Sequence, residues 1–163
     1  MDKQIILQII GGTFEQGFAV IVQISKKGQP IRFNYQGKLP ENTEIIPAYQ
    51  QWQNDYYLSP KIRSAGIRNH RIQLSDELTE VVSEDDYQNS QKNLQKVMEQ
   101  WLDSPEIREI QAHIIDEINK HESAQLIIST NNADLQRLPW QIWNLFKRRP
   151  LIEVSFSSGD FYH

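Results

Sequence analysis

Residues 126–156 read LIISTNNADLQRLPWQIWNLFKRRPLIEVSF, and the reading of this stretch decides the fold. Leu126-Ile127-Ile128-Ser129-Thr130 opens with a continuous apolar run, the pattern of a strand buried on both faces. Asn131-Asn132-Ala133-Asp134 is turn chemistry. Leu135, Leu138, Ile142 and Trp143 then predict a short helix with Pro139 near its start. Lys147-Arg148-Arg149 suits a helix C-terminus, where cations meet the negative end of the helix dipole. Pro150 stops the helix, and Leu151 to Phe156 reads as a last strand. Two strands joined through one helix form a βαβ unit, parallel and normally right-handed.

Two helices are predicted before this unit. Tyr87, Leu94, Val97, Met98, Trp101 and Leu102 make one apolar stripe, and Ile107, Ile110, Ile114, Ile115 and Ile118 make a second. Ser83 with Asp86 three residues on resembles a capping box. Ser104-Pro105 marks the break between the helices, with serine as cap and proline at the first helical position. An earlier helix is predicted from Ile45, Tyr49, Trp52 and Tyr56, with Pro47 in its first turn and Ser59-Pro60 ending it. Between them, residues 59–82 read as an exposed connection, expected to be mobile. The first forty residues are β in character. Gln4 to Ile10, Phe18 to Ile24 and Ile31 to Tyr35 are strand-like, with loops at Gly11-Gly12 to Gly17 and at Lys26-Lys27-Gly28. Two hairpins make these a three-stranded meander.

The expected fold class is therefore α/β (α+β). A mixed sheet combines an N-terminal β-meander (about 4–36) with a C-terminal βαβ unit (about 124–157), and about four helices pack on it. A helical middle (about 43–121) lies between, in a single domain of 163 residues. Whether the two strand groups share one sheet is open at this level.

Composition narrows the function classes. No cysteine is present, which excludes disulfides, thiolate metal sites and a cysteine nucleophile in this chain. A net charge of -4 argues against a globally basic nucleic-acid binder. No apolar stretch approaches the roughly 20 residues that span a bilayer, and no signal-peptide pattern is visible, so a cytoplasmic protein without a membrane partner is expected.

Candidate chemistry is sparse. Gly12 and Gly17 have the spacing of a phosphate-binding loop, but Phe18 and Ala19 stand where that loop needs lysine and a hydroxyl, so a hairpin loop is the expected reading. His70, His113, His121 and His163 share no metal-ligand spacing and are read as exposed helix and loop residues. The acidic residues Asp76, Glu77, Glu80, Glu84, Asp85 and Asp86 lack the calcium-loop pattern, and the last three suit a helix N-terminus. Lys61, Arg63, Arg68, His70 and Arg71 form a basic stretch without interleaved aromatics, so nucleic-acid contact through 61–71 ranks behind a solvated linker. Trp140 and Trp143 lie three residues apart. Such a pair is ordinarily core, and it is a docking face if one side of the helix stays open to a partner. No metal, cofactor or catalytic residue is assigned, and a non-enzymatic chain is expected.

One resemblance adds to this reading. Leu126 to Thr130 followed by Leu135-Gln136-Arg137-Leu138-Pro139-Trp140 resembles the strand and "L-x-x-LPW" helix start of the CHAT family, caspase-like domains associated with tetratricopeptide repeats. Phe14-Glu15-Gln16-Gly17-Phe18, Gly37-Lys38-Leu39-Pro40, Tyr49-Gln50-Gln51-Trp52-Gln53, Trp101-Leu102-Asp103-Ser104 and Leu138 to Trp143 are similar to the amino-terminal region of cyanobacterial CHAT proteins. The resemblance runs from about residue 4 to about 158. The histidine and cysteine of an active CHAT peptidase, which the resemblance puts in the caspase-like half that follows this region, carry over to no residue here. The resemblance therefore implies a regulatory or protein-interaction module of a caspase-related signalling or defence system, with a caspase-like or repeat protein as partner. The alternative is a structural subunit or fragment of a split cysteine peptidase. Arg137, Trp140, Trp143, Lys147, Arg148 and Arg149 are the candidate partner-binding residues.

Overall fold

A computed structural model describes residues 3–58 and 84–158. The strands are β1 (Lys3–Thr13), β2 (Gly17–Lys26), β3 (Ile31–Leu39), β4 (Ala124–Ser129) and β5 (Ile152–Ser157). The helices are α1 (Ile45–Leu58), α2 (Glu84–Leu102), α3 (Pro105–Glu117), α4 (Ala133–Arg137) and α5 (Asn144–Arg148), with a 3-10 turn at Trp140–Ile142. The chain divides into two compact units, residues 1–43 with 98–163, and residues 44–97.

The first unit holds one mixed sheet in the order β3-β2-β1-β4-β5. The meander is antiparallel, and β4 is parallel to both β1 and β5. The two strand groups therefore share one sheet, joined where Lys3 to Gln8 lie opposite Ala124 to Ser129. Alternation puts Ile5, Leu7 and Ile9 on one side of β1, in line with Ile24, Val22 and Val20 of β2 and with Leu126 and Ile128 of β4. All of these are buried. On the other side, Gln4, Ile6, Gln8, Ile21, Gln23 and Gln125 are half-buried.

The helix α3 lies on the buried side. Its predicted stripe is confirmed: Ile107, Ile110, Ile114 and Ile118 are buried and Ile115 is half-buried. Glycine at 37 allows the close approach, since a Cβ there would lie 2.9 Å from the Tyr35 ring and 3.2 Å from Ile110. His113 differs from the exposed residue expected. It is half-buried, with its ring 4.1 Å from that of Tyr35 and 5.4 Å from that of Phe33. Burial, with a hydrogen bond to Glu109, raises the Tyr35 hydroxyl above its ordinary pKa.

The strands run further than their sequence patterns. β1 continues through Gly11-Gly12 to Thr13, with a register shift between Ile9 and Gly11 that marks a bulge. Glycine is required at 12, where φ is +123° and a Cβ would sit 2.1 Å from the Gly17 carbonyl oxygen. The two glycines therefore close a hairpin, as expected. β3 extends to Leu39, where Phe18 is its partner across the ladder.

The predicted single helix after β4 is corrected to three short pieces. Pro139 drives Leu138 into extended backbone (φ -69°, ψ 152°), so α4 ends at Arg137. The chain then makes the 3-10 turn and is extended again at Trp143 before α5 begins. Trp140 and Trp143 therefore do not share one helix face. Both still reach the core, with ring centroids 6.2 Å apart and accessibilities of 0% and 1%.

In the second unit, α1 and the part of α2 up to Val97 meet through aromatic rings. Tyr56 lies 5.9 Å from Tyr87 and 5.8 Å from Trp52, and Trp52 lies 5.8 Å from Tyr49. Pro47 sits in the first turn of α1, where a missing N–H removes no intrahelical bond. Glu84, Asp85 and Asp86 occupy the first turn of α2, the helix end that favours carboxylates. The expected cap Ser83, the acidic residues Asp76, Glu77 and Glu80, the basic stretch 61–71 and the connection 59–82 all lie outside the described residues.

Candidate interaction surface

The C-terminal segment is built around its buried residues. Leu135, Leu138 and Trp140 are each at most 3% exposed. The Trp140 indole N–H donates to the Leu135 carbonyl at 2.7 Å, which ties the 3-10 turn back onto α4. Its ring packs 5.8 Å from Trp101, whose own N–H donates to the Pro40 carbonyl at 2.9 Å. The "L-x-x-LPW" residues are thus a core and turn device. Trp140 and Trp143 belong to the core, and their side chains are not on the surface. Replacing either by alanine would cost about 3–5 kcal/mol, so such a change tests folding before it tests docking.

The four basic candidates separate by environment. Arg149 is committed to the fold. Its Nε donates to the Ile118 carbonyl at 2.6 Å and one of its terminal nitrogens to the Ile115 carbonyl at 3.1 Å. The guanidinium thus satisfies carbonyls at the end of α3, where a cation also meets the negative end of the dipole. Arg137, Lys147 and Arg148 are exposed, and none pairs with a carboxylate among the described residues. Arg137 ends α4, and Lys147 and Arg148 end α5.

Arg148 also lines a groove of about 420 Å³ between α3 and α5. Opposite stand Asp103, Arg108, Gln111 and Asp116, with Asn144 from α5 beside them. Asp103 and Arg108 neutralise each other through two hydrogen bonds of 2.8 Å. These bonds hold the Asp103 carboxyl below the usual carboxylate range. Gln111 is nine-tenths buried, a polar side chain within a helix face that is otherwise isoleucine. The groove thus offers a guanidinium, a carboxylate and two amides beside the apolar Ala112 and Ile115. Sequence reasoning found Arg148 but missed the α3 wall, because nothing local in 103–116 shows that α5 packs beside it.

The chain matches no protein-family model, no curated protein and no solved structure. Among the described residues, no cluster of histidine, aspartate or glutamate could hold a metal ion, and no helix is long and apolar enough to cross a membrane. His121 is exposed on the turn before β4, and His70 and His163 lie outside the described residues.

Proposed function

We propose that the chain is a non-catalytic regulatory or protein-interaction module of a CHAT-like, caspase-related signalling or defence system. It docks an acidic surface of a protein partner, a caspase-like effector, through the α4–α5 face. One observation carries this reading. Arg137, Lys147 and Arg148 are exposed cations without a carboxylate partner among the described residues, and they stand on short helices anchored by two buried tryptophans. Long cationic side chains on a rigid base lose little backbone freedom when a partner pairs with them, and paired charges steer encounter as well as specificity.

The test is affinity capture from a lysate of the source cells, followed by identification of the captured protein. The wild-type chain retains a caspase-like protein, and retention falls steeply with added salt. Lys147→Glu with Arg148→Glu, shown folded by circular dichroism, reduces retention by about tenfold or more, as expected when two rim charges are reversed. Retention that is indifferent to both salt and charge reversal, or no caspase-like protein at all, overturns the reading. Peptidase activity that arises only in the complex would instead make this chain the structural subunit of a split cysteine peptidase.

A further inference from the structure

The two edges of the sheet are treated differently. At one edge, β3 carries Arg32 and Lys38, both exposed, and a register shift interrupts its ladder between Ile24 and Ser25 of β2. Charge and irregularity are the usual devices that keep an edge from pairing with another chain. At the other edge, β5 reads Ile152-Glu153-Val154-Ser155-Phe156-Ser157, with one exposed charge, Glu153, and no lysine, no proline and no bulge. Phe156 is 38% exposed there, and Leu151 just before the strand is 47% exposed.

The direction of the free backbone groups follows from the ladder. Ala124 N–H donates to the Leu151 carbonyl and Thr130 N–H to the Ser157 carbonyl, so the odd-numbered residues turn their backbone groups toward β4. Ile152, Val154 and Phe156 therefore turn theirs away from it. The Ile152 N–H is occupied by the Arg149 carbonyl at 3.1 Å. No further strand of the described residues pairs with Val154 or Phe156 on that side.

The geometry points to a second copy of this chain as the occupant of the β5 edge, paired antiparallel about a two-fold axis at Val154. This register places Val154 opposite Val154 of the second copy, each donating to the other, and Ile152 opposite Phe156. All three belong to the side of the sheet that carries α3, since Val154 aligns with Leu126 and Phe156 with Ile128. On the other side, Glu153 meets Ser155 and not another glutamate, so the pairing sets no like charges opposite each other. A one-residue slip would put apolar residues opposite polar ones on the wrong face. The pairing is isologous and closes on itself, so it gives a dimer and not a fibre. It rests on the backbone of β5 and not on the charges of Arg137, Lys147 and Arg148, and stands or falls independently of the partner proposed above.

Sedimentation velocity of the 163-residue chain, from low micromolar to near-millimolar protein, tests it. The mean mass rises with concentration from one chain toward two. Val154→Pro removes the outward N–H while the bonds to β4 remain, a position at which an edge strand accepts proline. Phe156→Lys places a charge on the exposed edge. Each weakens association by about tenfold or more, the loss expected for about one well-made interaction. If Val154→Pro disturbs the fold by circular dichroism, Phe156→Lys, at an already exposed side chain, decides alone. A wild-type chain that stays monomeric throughout, or a dimer that both folded variants leave unchanged, overturns the proposal.

Discussion

Arg148 and Arg149 are adjacent and alike in sequence, yet one faces a groove and the other closes a helix 31 residues away in the chain. The difference lies wholly in tertiary packing, because only the end of α3 decides which guanidinium finds carbonyls. Glu122 shows the same dependence. Its Oε1 accepts from the Asn119 N–H at 2.9 Å and lies 3.2 Å from the Lys3 ammonium. The Asn119 N–H first, and Lys3 after it, hold the carboxyl below its ordinary value of 4.5. A carboxyl whose pKa is lowered by folding stabilises the native state above its unfolded value, and that contribution disappears as pH falls through the folded value. Urea unfolding of wild type and Glu122→Gln at about pH 7 and about pH 3 reads this linkage. The variant is the less stable at the higher pH, by no more than about 1 kcal/mol for a half-buried pair that water still screens, and the gap closes in acid. Equal gaps at both pH values would show that Glu122 makes no such contribution.

At the scale of elements, the starts of α3 and α4 reverse their sequence reading. Ser104 precedes proline and occupies the N-cap of α3 by its backbone, yet its side chain makes no capping bond. Its buried hydroxyl has no partner among the described residues. Asn132, which reads only as turn chemistry, caps α4: its Oδ1 accepts from the Leu135 N–H at 3.1 Å. The Asn132 N–H in turn donates to the Thr130 hydroxyl at 3.1 Å. Asn132→Ala therefore costs about 1 kcal/mol, the usual worth of an N-cap side chain. Ser104→Ala is neutral or slightly stabilising, since it removes an unsatisfied buried hydroxyl. Thermal melts of the two variants check the pair, and equal losses would refute the distinction. Apolar alternation and spacing made the strands and the helices α1 to α3 readable, because local periodicity reports a buried face whatever packs on it. Cap geometry was not readable, because it depends on rotamers that neighbouring elements impose. The split at Pro139 was legible in principle, since the restriction on the residue before proline is local, but the apolar spacing of Leu135, Leu138 and Ile142 masked it.

At the scale of the molecule, the strand nearest the N-terminus is the middle of the sheet. β1 pairs with β2 on one side and with β4, more than a hundred residues later, on the other. The placement was hidden in the sequence: a β1 followed by a hairpin is satisfied locally, and nothing within it announces a parallel partner so remote. It also dictates how the first unit folds. Without β1, β4 would present an unpaired edge along Leu126, Ile127 and Ile128, which are at most 6% exposed in the intact chain. An apolar edge of that kind invites aggregation in place of folding. Residues 98–163 made alone therefore show no cooperative unfolding transition, although they contain α3, β4, α4, α5 and β5. Adding a separate peptide of residues 1–43, which completes the unit, restores the transition in proportion to its concentration. Circular dichroism during urea titration, with and without that peptide, reads both halves of the expectation. A cooperative transition from 98–163 by itself would mean that β4 and β5 find enough burial on α3 alone, and that β1 is an addition to the core and not its centre. The register argues otherwise, since Ile5 and Leu7 stand between Ile24 and Val22 on one flank and Leu126 and Ile128 on the other, and no other strand separates those two flanks.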